Sequence, residues 1–564
     1  MEYQELYESW LNDDFFDKET REELLSIKGD YDEVRDRFYK NLEFGTAGLR
    51  GKIGAGTNRM NKYTVALASQ GLASTIKSAG QEAMKKGVII SYDVRYFSKE
   101  FAEIAAGVLA ANKIKVYLSD DIRPTPVLAY GIRYYNTQSG IMVTASHNPK
   151  EYNGYKVYWN EGSQILDDVA EEIITNIEEI GSFKNIDIMP IGDALVQGYV
   201  EYIGNELDEA YFKDILSLSI NDNNIDKLIN IAYSPLNGTG NYYVKEILKR
   251  RGFTNVHFVE EQEKPDPEFS TVGYPNPEDP QAFKYLEKLG EKYYSDILIA
   301  TDPDADRLAI EVLDENFEYK FINGNKLGIL LVNYILSQRY DKGDLPENSI
   351  ITRSIVTGNM VDAIAKKYGV KTELALTGFK NICSKVSEYE NTKEKNWIFG
   401  FEESIGYSYG TFVRDKDGIS TAMMVAEMAG YYKNQGKTLF DVLAELYDEF
   451  GYYNDKSRAI VLDGIEGQNR INRIMEDFRN SSLEKVGDLK LENKIDYLYD
   501  ETGIPKSNVL IFEYSDNSWF ALRPSGTEPK LKLYIYAKGK DKESSDFKIK
   551  ELDKAIIEKI QKVM

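Results

Sequence analysis

Short apolar runs recur along the chain, and each ends in a polar or glycine-rich loop. GVIISYDVRYFS, residues 87–98, predicts a strand, a loop and then the helix-like KEFAEIAAGVLAANK. The same shape returns in INIAYSPLNGTGNYYVKEILKRRG (229–252) and in SIITRSIVTGNMVDAIAKKYG (349–369), so each stretch predicts a βα unit. A second strand follows each unit and runs into an unusual loop: SGIMVTASHNP from 139, SDILIATDPDADR from 295 and NWIFGFEESIGY from 396. The second strand lies about 50, 65 and 45 residues after the first, and the units are about 140 and 120 residues apart. That regularity predicts three related α/β domains. Their loops stand beyond the carboxyl ends of strands, where open α/β sheets bind ligands. From about residue 450 apolar and polar residues alternate between turn signals before a helix-like end, predicting a smaller α+β domain with an antiparallel sheet.

Length supports this division, since 564 residues exceed what one core accommodates and leave room for clefts between domains. Lys plus Arg number 69 against 92 Asp plus Glu, a net charge of −23 that disfavours nonspecific attraction to nucleic acid or an anionic membrane. A small phosphorylated ligand can still bind a local basic cluster. The start MEYQELYESW is acidic where a signal peptide is basic, and no apolar run reaches the roughly 20 residues of a membrane span. A cytoplasmic protein is expected. Cys383 is the only cysteine, which excludes an intrachain disulfide; FKNICSKV reads as a buried core thiol. His257 lies in a strand-like apolar run and reads as a structural histidine.

The candidate chemistry sits in the loops. TASHNP places Ser146 beside His147, with Lys156 ten residues on. It lacks the G-x-S-x-G pattern of a hydrolase elbow, and adjacent Ser146 and His147 side chains are not expected to meet in an extended segment. TDPDADR carries Asp302, Asp304 and Asp306 at alternate positions; three like charges brought together call for a hard divalent cation. A calcium loop is excluded, because its sixth position is Arg307 and its twelfth Leu313, so Mg²⁺ with phosphate oxygens fits better. GFEESIGY offers Glu402, Glu403 and Ser404 to sugar hydroxyls, flanked by Lys380 of TGFKN and by Arg414 and Lys416 of VRDKDG. RPSGTEP, with Arg523, Ser525, Gly526 and Thr527, has the makings of an anion cradle. FGTAGLRGKIGAG, holding Arg50 and Lys52, is either a flexible connector or a phosphate-binding loop. No GxxxxGK[ST] loop is present.

Taken in order, TASHNP, DPDADR, FEES and RPSGTEP resemble the four motifs of the α-D-phosphohexomutase family, and FGTAGLRG and the length are most similar to its phosphoglucomutase and phosphopentomutase branch. The resemblance implies a heart-shaped enzyme of three α/β domains with mixed sheets and a C-terminal α+β domain similar to the TATA-binding-protein fold, divided at 1–205, 206–323, 324–448 and 449–564. It implies phosphorylation of Ser146 and Mg²⁺ held by Asp302, Asp304, Asp306 and a phosphoserine oxygen. Glucose 1-phosphate and glucose 6-phosphate would interconvert through glucose 1,6-bisphosphate, which also activates the enzyme. The alternatives are a phosphomannomutase, a phosphopentomutase, a bisphosphate synthase or a non-catalytic sugar-phosphate-binding paralogue. Lys156 would move the sugar hydroxyl's proton, its pKa lowered by burial or by neighbours such as Arg50, while His147 supports the phosphoserine. Arg307, Thr377, Gly378, Lys380, Glu402, Ser404 and Lys416 would contact the sugar phosphate, and Arg523, Ser525, Gly526 and Thr527 its non-reacting phosphate. Sugar phosphates are the expected partners, of a monomer or homodimer. One departure is visible: many family members read GEMSGH at the sugar loop, where this chain has Gly406 in place of the histidine.

Overall fold

The computed structural model describes residues 3–45, 48–462, 464–525 and 530–563. Four sheets follow one another along the chain. The first has six strands in the order Leu49–Lys52, Tyr152–Trp159, Ser139–Val143, Val88–Tyr92, Val116–Ser119, Val200–Ile203. The second has five, Tyr319–Ile322, Leu308–Leu313, Ile297–Thr301, Ile231–Ser234, Val256–Phe258, and the third has four, Lys371–Ala375, Ser349–Ser354, Asn396–Glu402, Gly406–Tyr409.

These three sheets share one plan. The first strand of each βα unit pairs in parallel with the strand that bears the unusual loop: Val88–Tyr92 with Ser139–Val143, Ile231–Ser234 with Ile297–Thr301, and Ser349–Ser354 with Asn396–Glu402. Each loop-bearing strand then pairs antiparallel with the strand that follows its loop. Every loop is therefore the tip of a hairpin whose rails are pinned in a buried sheet, which fixes polar side chains more rigidly than a free connector would.

The fourth sheet is wholly antiparallel, running Tyr452–Val461, Lys530–Gly539, Trp519–Pro524, Leu510–Tyr514, Leu489–Asp496, Lys485–Val486. Strict alternation gives it two faces. Leu531, Leu533 and Ile535 join Phe512 and Phe520 under helices Gly464–Asn480 and Lys542–Lys562, while Trp519, Tyr534 and Tyr536 pack on Ile355 and Val356 of the third domain. The first three domains, by contrast, share one continuous apolar cluster that runs from Ile89 through Tyr233, Leu298, Leu330 and Phe401 to Leu446. Cys383 is buried, and His257 stacks on Tyr293 with ring centroids 3.7 Å apart.

FGTAGLRG is not a flexible connector where it is described: Leu49–Lys52 is an edge strand, with Arg50 opposite Gly154. Gly48, at φ +99°, allows this pairing, since a Cβ there would lie 1.9 Å from the Tyr155 carbonyl oxygen.

Strand Leu308–Leu313 carries a buried carboxyl, Glu311, whose Oε2 has no hydrogen-bond partner. Burial, then Glu287, pushes it up to about 7. The folded chain thus holds this proton more tightly than the unfolded chain does, so stability is full below the unfolded value of about 4.3 and declines as pH rises towards 7. Glu311→Gln should raise the apparent melting temperature by about 2–4 °C at pH 8 and by less at pH 5. Equal shifts at the two pH values in scanning fluorimetry would remove the titration from this account.

Candidate active site

Strand Ser139–Val143 delivers the chain into loop 144–151, where Ser146 adopts a left-handed φ of 52° and is 3% exposed. Its N–H donates to Thr144 Oγ1 at 2.8 Å, and its Oγ donates to Asp302 Oδ2 at 2.8 Å. The same Oγ lies 3.2 Å from His147 Nδ1. The two side chains therefore do meet, contrary to the reading of an extended segment, because the left-handed residue turns them to one side. Burial, then Arg307 and Arg50, push the His147 imidazole well below its ordinary range, so it is neutral near pH 7.

The loop is braced by residues that the sequence reading passed over as part of a βα unit. Arg95 donates through Nη1 to the carbonyls of Pro149 and Tyr152, at 2.8 and 3.0 Å, and through Nη2 to those of Ser146 and Asn148. Asp93 faces Arg95 Nε at 3.3 Å and accepts from Thr144 Oγ1 and Ser98 Oγ at 2.6 and 2.7 Å. The available signal was the pair of charges placed directly after the apolar run in GVIISYDVR. Arg50 Nη1 reaches Asn148 Oδ1 at 3.3 Å from the neighbouring edge strand.

Asp302, Asp304 and Asp306 are buried, each offering an oxygen within 4.8 Å of the others'. Ala305, at φ 51°, makes the loop a tight turn rather than an extended stretch. Arg307 N donates to Asp302 Oδ1 at 3.0 Å, and Thr125 holds Asp304 through Oγ1 to Oδ2 at 2.7 Å and through its N–H to the Asp304 carbonyl at 2.9 Å. Asp304 Oδ1 and Asp306 Oδ1 are buried without a hydrogen-bond partner. Hard oxygen donors crowded together, two of them buried without a hydrogen bond, suit a divalent cation of the Mg²⁺ kind. Without one, burial and then Asp304 and Asp306 push the Asp302 carboxyl well above its usual range.

Lys156 Nζ donates to Asp304 Oδ2 at 2.7 Å and Asp306 Oδ2 at 3.4 Å. Here the expected lowering of its pKa is overturned: burial acts downward, but Asp304 and then Asp306 outweigh it and hold the ammonium above the ordinary lysine range. Lys416 Nζ stands 3.0 Å from Asp306 Oδ2 and 3.2 Å from Asp415 Oδ1, and these carboxylates likewise overcome burial and raise it.

The third domain's hairpin tip meets the acidic loop through backbone. Leu308 N donates to Ile405 O at 3.1 Å, and Gly418 N to Ala305 O at 3.1 Å. Arg307 Nη1 reaches the Ser404 carbonyl at 3.5 Å. Glu402 is buried and accepts from Gly378 N at 2.5 Å; burial, then Glu403, raise its carboxyl. Glu403 turns away and accepts from Thr357 Oγ1 at 2.8 Å. The Thr377 carbonyl accepts from Asn381 Nδ2 at 2.9 Å, and Lys380 pairs with Asp167 of the first domain at 2.7 Å. Gly406 leaves room for Lys416, because a Cβ there would lie 2.5 Å from Lys416 Cδ.

Arg523 lies on strand Trp519–Pro524, directly opposite Lys532, and Ser525 N donates to Lys530 O at 2.7 Å. Gly526 and Thr527 lie outside the described residues. Lys532, not among the residues expected from the sequence, lies on the face of Tyr534 and Tyr536 by the alternation of KLKLYIYA. Burial, then Arg523, lower its ammonium.

Family models named Phosphoglucomutase/phosphomannomutase match in series: alpha/beta/alpha domain I over 41–184, domain II over 209–315, domain III over 323–450 and the C-terminal domain over 471–554. Curated phosphoglucomutases from Staphylococcus aureus are similar. That of strain RF122 is 38% identical over 517 residues, covering 90% of this chain and 91% of its own, and that of strain MRSA252 is 38% identical over 520 residues, covering 90% and 92%. Among solved structures, a Thermus thermophilus putative phosphomannomutase matches with a TM-score of 0.67 at 21% identity, covering 92% of this chain and 99% of that one. The Paramecium phosphoglucomutase parafusin, in an open form, matches with a TM-score of 0.67 at 20% identity, covering 93% and 96%; at such identities these two speak to fold. Among the described residues no helix is long and apolar enough to cross a membrane.

Proposed function

This chain belongs to the phosphoglucomutase/phosphomannomutase family of isomerases, and we propose that it interconverts glucose 1-phosphate and glucose 6-phosphate in the cytoplasm through a phosphoserine at Ser146 and glucose 1,6-bisphosphate. The observation that carries the reading is the meeting of Ser146 Oγ with Asp302 at 2.8 Å, inside a cluster that also gathers Asp304, Asp306, Lys156 and Lys416 from three domains.

Asp302, Asp304 and Asp306, with an oxygen on Ser146, would hold Mg²⁺, which when bound would draw negative charge from the transferring phosphoryl group. The P–Oγ bond to Ser146 breaks as a bond forms from phosphorus to the free sugar hydroxyl, whose proton leaves to a base, and Ser146 Oγ ends protonated. The bisphosphate then turns round, and the reverse transfer from its other phosphate restores the phosphoserine. Lys156 is the residue for the hydroxyl's proton. Held protonated by Asp304 and Asp306, it is set to donate, and it would accept only if a bound cation took up the charge of those carboxylates. His147, neutral and 3.2 Å from Oγ, supports the serine, and Arg50 adds positive charge beside the loop. Glu402 and Ser404 hold sugar hydroxyls, with Arg307, Thr377, Gly378, Lys380 and Lys416 around them. Arg523, Ser525, Gly526 and Thr527 grip the idle phosphate, and Lys532 beside Arg523 adds a further cation.

Initial rates with glucose 1-phosphate, mannose 1-phosphate and ribose 1-phosphate, each with Mg²⁺ and a trace of its bisphosphate, test this. Preference for glucose is expected; preference for ribose would move the chain to the pentomutase reading, and no turnover on any would sink it. Gly406→Ala should push Lys416 off Asp306 and lower kcat/KM about tenfold. Kinetics unchanged by that substitution would mean Lys416 yields without consequence.

A further inference from the structure

A turn of the second domain, residues 266–274, lies against the Ser146 loop, and no role in the reaction above uses it. Asp266 builds the turn by accepting from Glu268 N at 2.9 Å and Ser270 N at 3.0 Å. Asn237 fastens it, accepting from Thr271 Oγ1 at 2.9 Å and donating to the Lys264 carbonyl at 2.9 Å. The turn then touches the first domain at three points. Glu268 accepts from Tyr96 OH at 2.6 Å and from Lys150 Nζ at 2.5 Å, Lys150 being part of loop 144–151. Phe269 is fully buried at φ +47° and lays its ring against the Arg95 guanidinium, with Cζ 5.0 Å from the ring centroid. Tyr274 meets the His147 ring edge-on, with centroids 6.3 Å apart.

Arg95 spends its Nη atoms on three carbonyls of the Ser146 loop and on that of Tyr152, where the next strand begins, so whatever fixes the guanidinium fixes the loop. A non-glycine residue held at positive φ to present its ring there is a strained arrangement, and such strain persists only where the surroundings impose it. We propose that turn 266–274 is a positioning element for the phosphoryl carrier: Glu268 and Phe269 set where Ser146 Oγ stands during both transfers and keep water from the phosphoserine between them. This rests on the mutase reading. Without the turn, a water oxygen bonds to phosphorus as the P–Oγ bond breaks, a proton passes to Ser146 Oγ, and inorganic phosphate departs.

The test uses the full enzyme, phosphorylated with glucose 1,6-bisphosphate and freed of sugar, with wild type compared to Glu268→Ala, Glu268→Asp and Phe269→Leu. In Glu268→Ala, release of inorganic phosphate is expected to quicken about tenfold and kcat to fall about tenfold, with KM within about twofold. Glu268→Asp, which retains the carboxylate, should recover most of both, while Phe269→Leu keeps the apolar bulk but loses the ring face over Arg95 and should resemble Glu268→Ala. Phosphoenzyme lifetime and kcat unchanged in Glu268→Ala, or a fall in melting temperature alone, would overturn the proposal. Hydrogen exchange of amides 144–151 needs no turnover and should speed up in Glu268→Ala; unaltered exchange also counts against the turn. If wild type takes up no phosphate at all, the mutase reading fails, and the exchange measurement still decides what the turn does to the loop.

Discussion

Ser146→Ala is expected to reduce mutase turnover by at least about four orders of magnitude, because the proposed reaction carries the phosphoryl group on the Ser146 Oγ. The fold should survive. Ser146 contributes its backbone carbonyl to Arg95 and its N–H to Thr144, and both contacts outlast removal of Oγ. Melting temperature should therefore stay close to that of wild type, and intact-mass measurement should show the phosphate adduct in wild type and none in the variant. Residual turnover above about one hundredth of wild type, a loss far smaller than expected, would assign the carrier elsewhere.

Asp304→Asn is the second large effect. Asparagine keeps the shape and one acceptor for Thr125 Oγ1 or Lys156 Nζ, but it removes a charge from the cluster and replaces one of its oxygens with an amide. Metal affinity, titrated calorimetrically with Mn²⁺ or Mg²⁺, should fall by more than the roughly 10- to 100-fold that loss of an outer-shell partner costs, and metal-dependent turnover should fall with it. Unchanged affinity would mean that the cation does not bind at this loop.

The repeat was legible because a buried strand and its helix write themselves in apolar periodicity, and three copies confirm one another. The hairpin that each loop caps was not legible, since the pairing partner lies beyond the loop and periodicity is silent on register. Ser146 and the aspartates stood out as polar interruptions of apolar runs. What failed was local geometry: the left-handed turn at Ser146 that brings in His147 follows from a loop gripped by Arg95, some fifty residues upstream. The Lys156 pKa failed for a related reason. Burial was foreseen, but not that its counter-charges, Asp304 and Asp306, come from another domain. Lys532 and Glu268 escaped because charged residues on a strand and in a turn look, in one dimension, like ordinary solvated ones.

The uneven distribution of apolar packing divides the labour of catalysis. The loops bearing Ser146, the three aspartates and Glu402 belong to domains that share one continuous core and are stitched together by backbone hydrogen bonds, so that half of the cleft is expected to stay rigid. Arg523 and Lys532 ride on a sheet with a core of its own, which meets the rest through Ile355 and Val356, through the Tyr536 hydroxyl bonded to the Val356 carbonyl, and through Asn323 and Asn325, which donate to Asp455 and to the Tyr536 hydroxyl. An intermediate that must turn end for end needs one wall to stay still while the other lets go. On the proposed reaction, the wall bearing Arg523 and Lys532 has a core of its own and is the one expected to give way when the bisphosphate reverses.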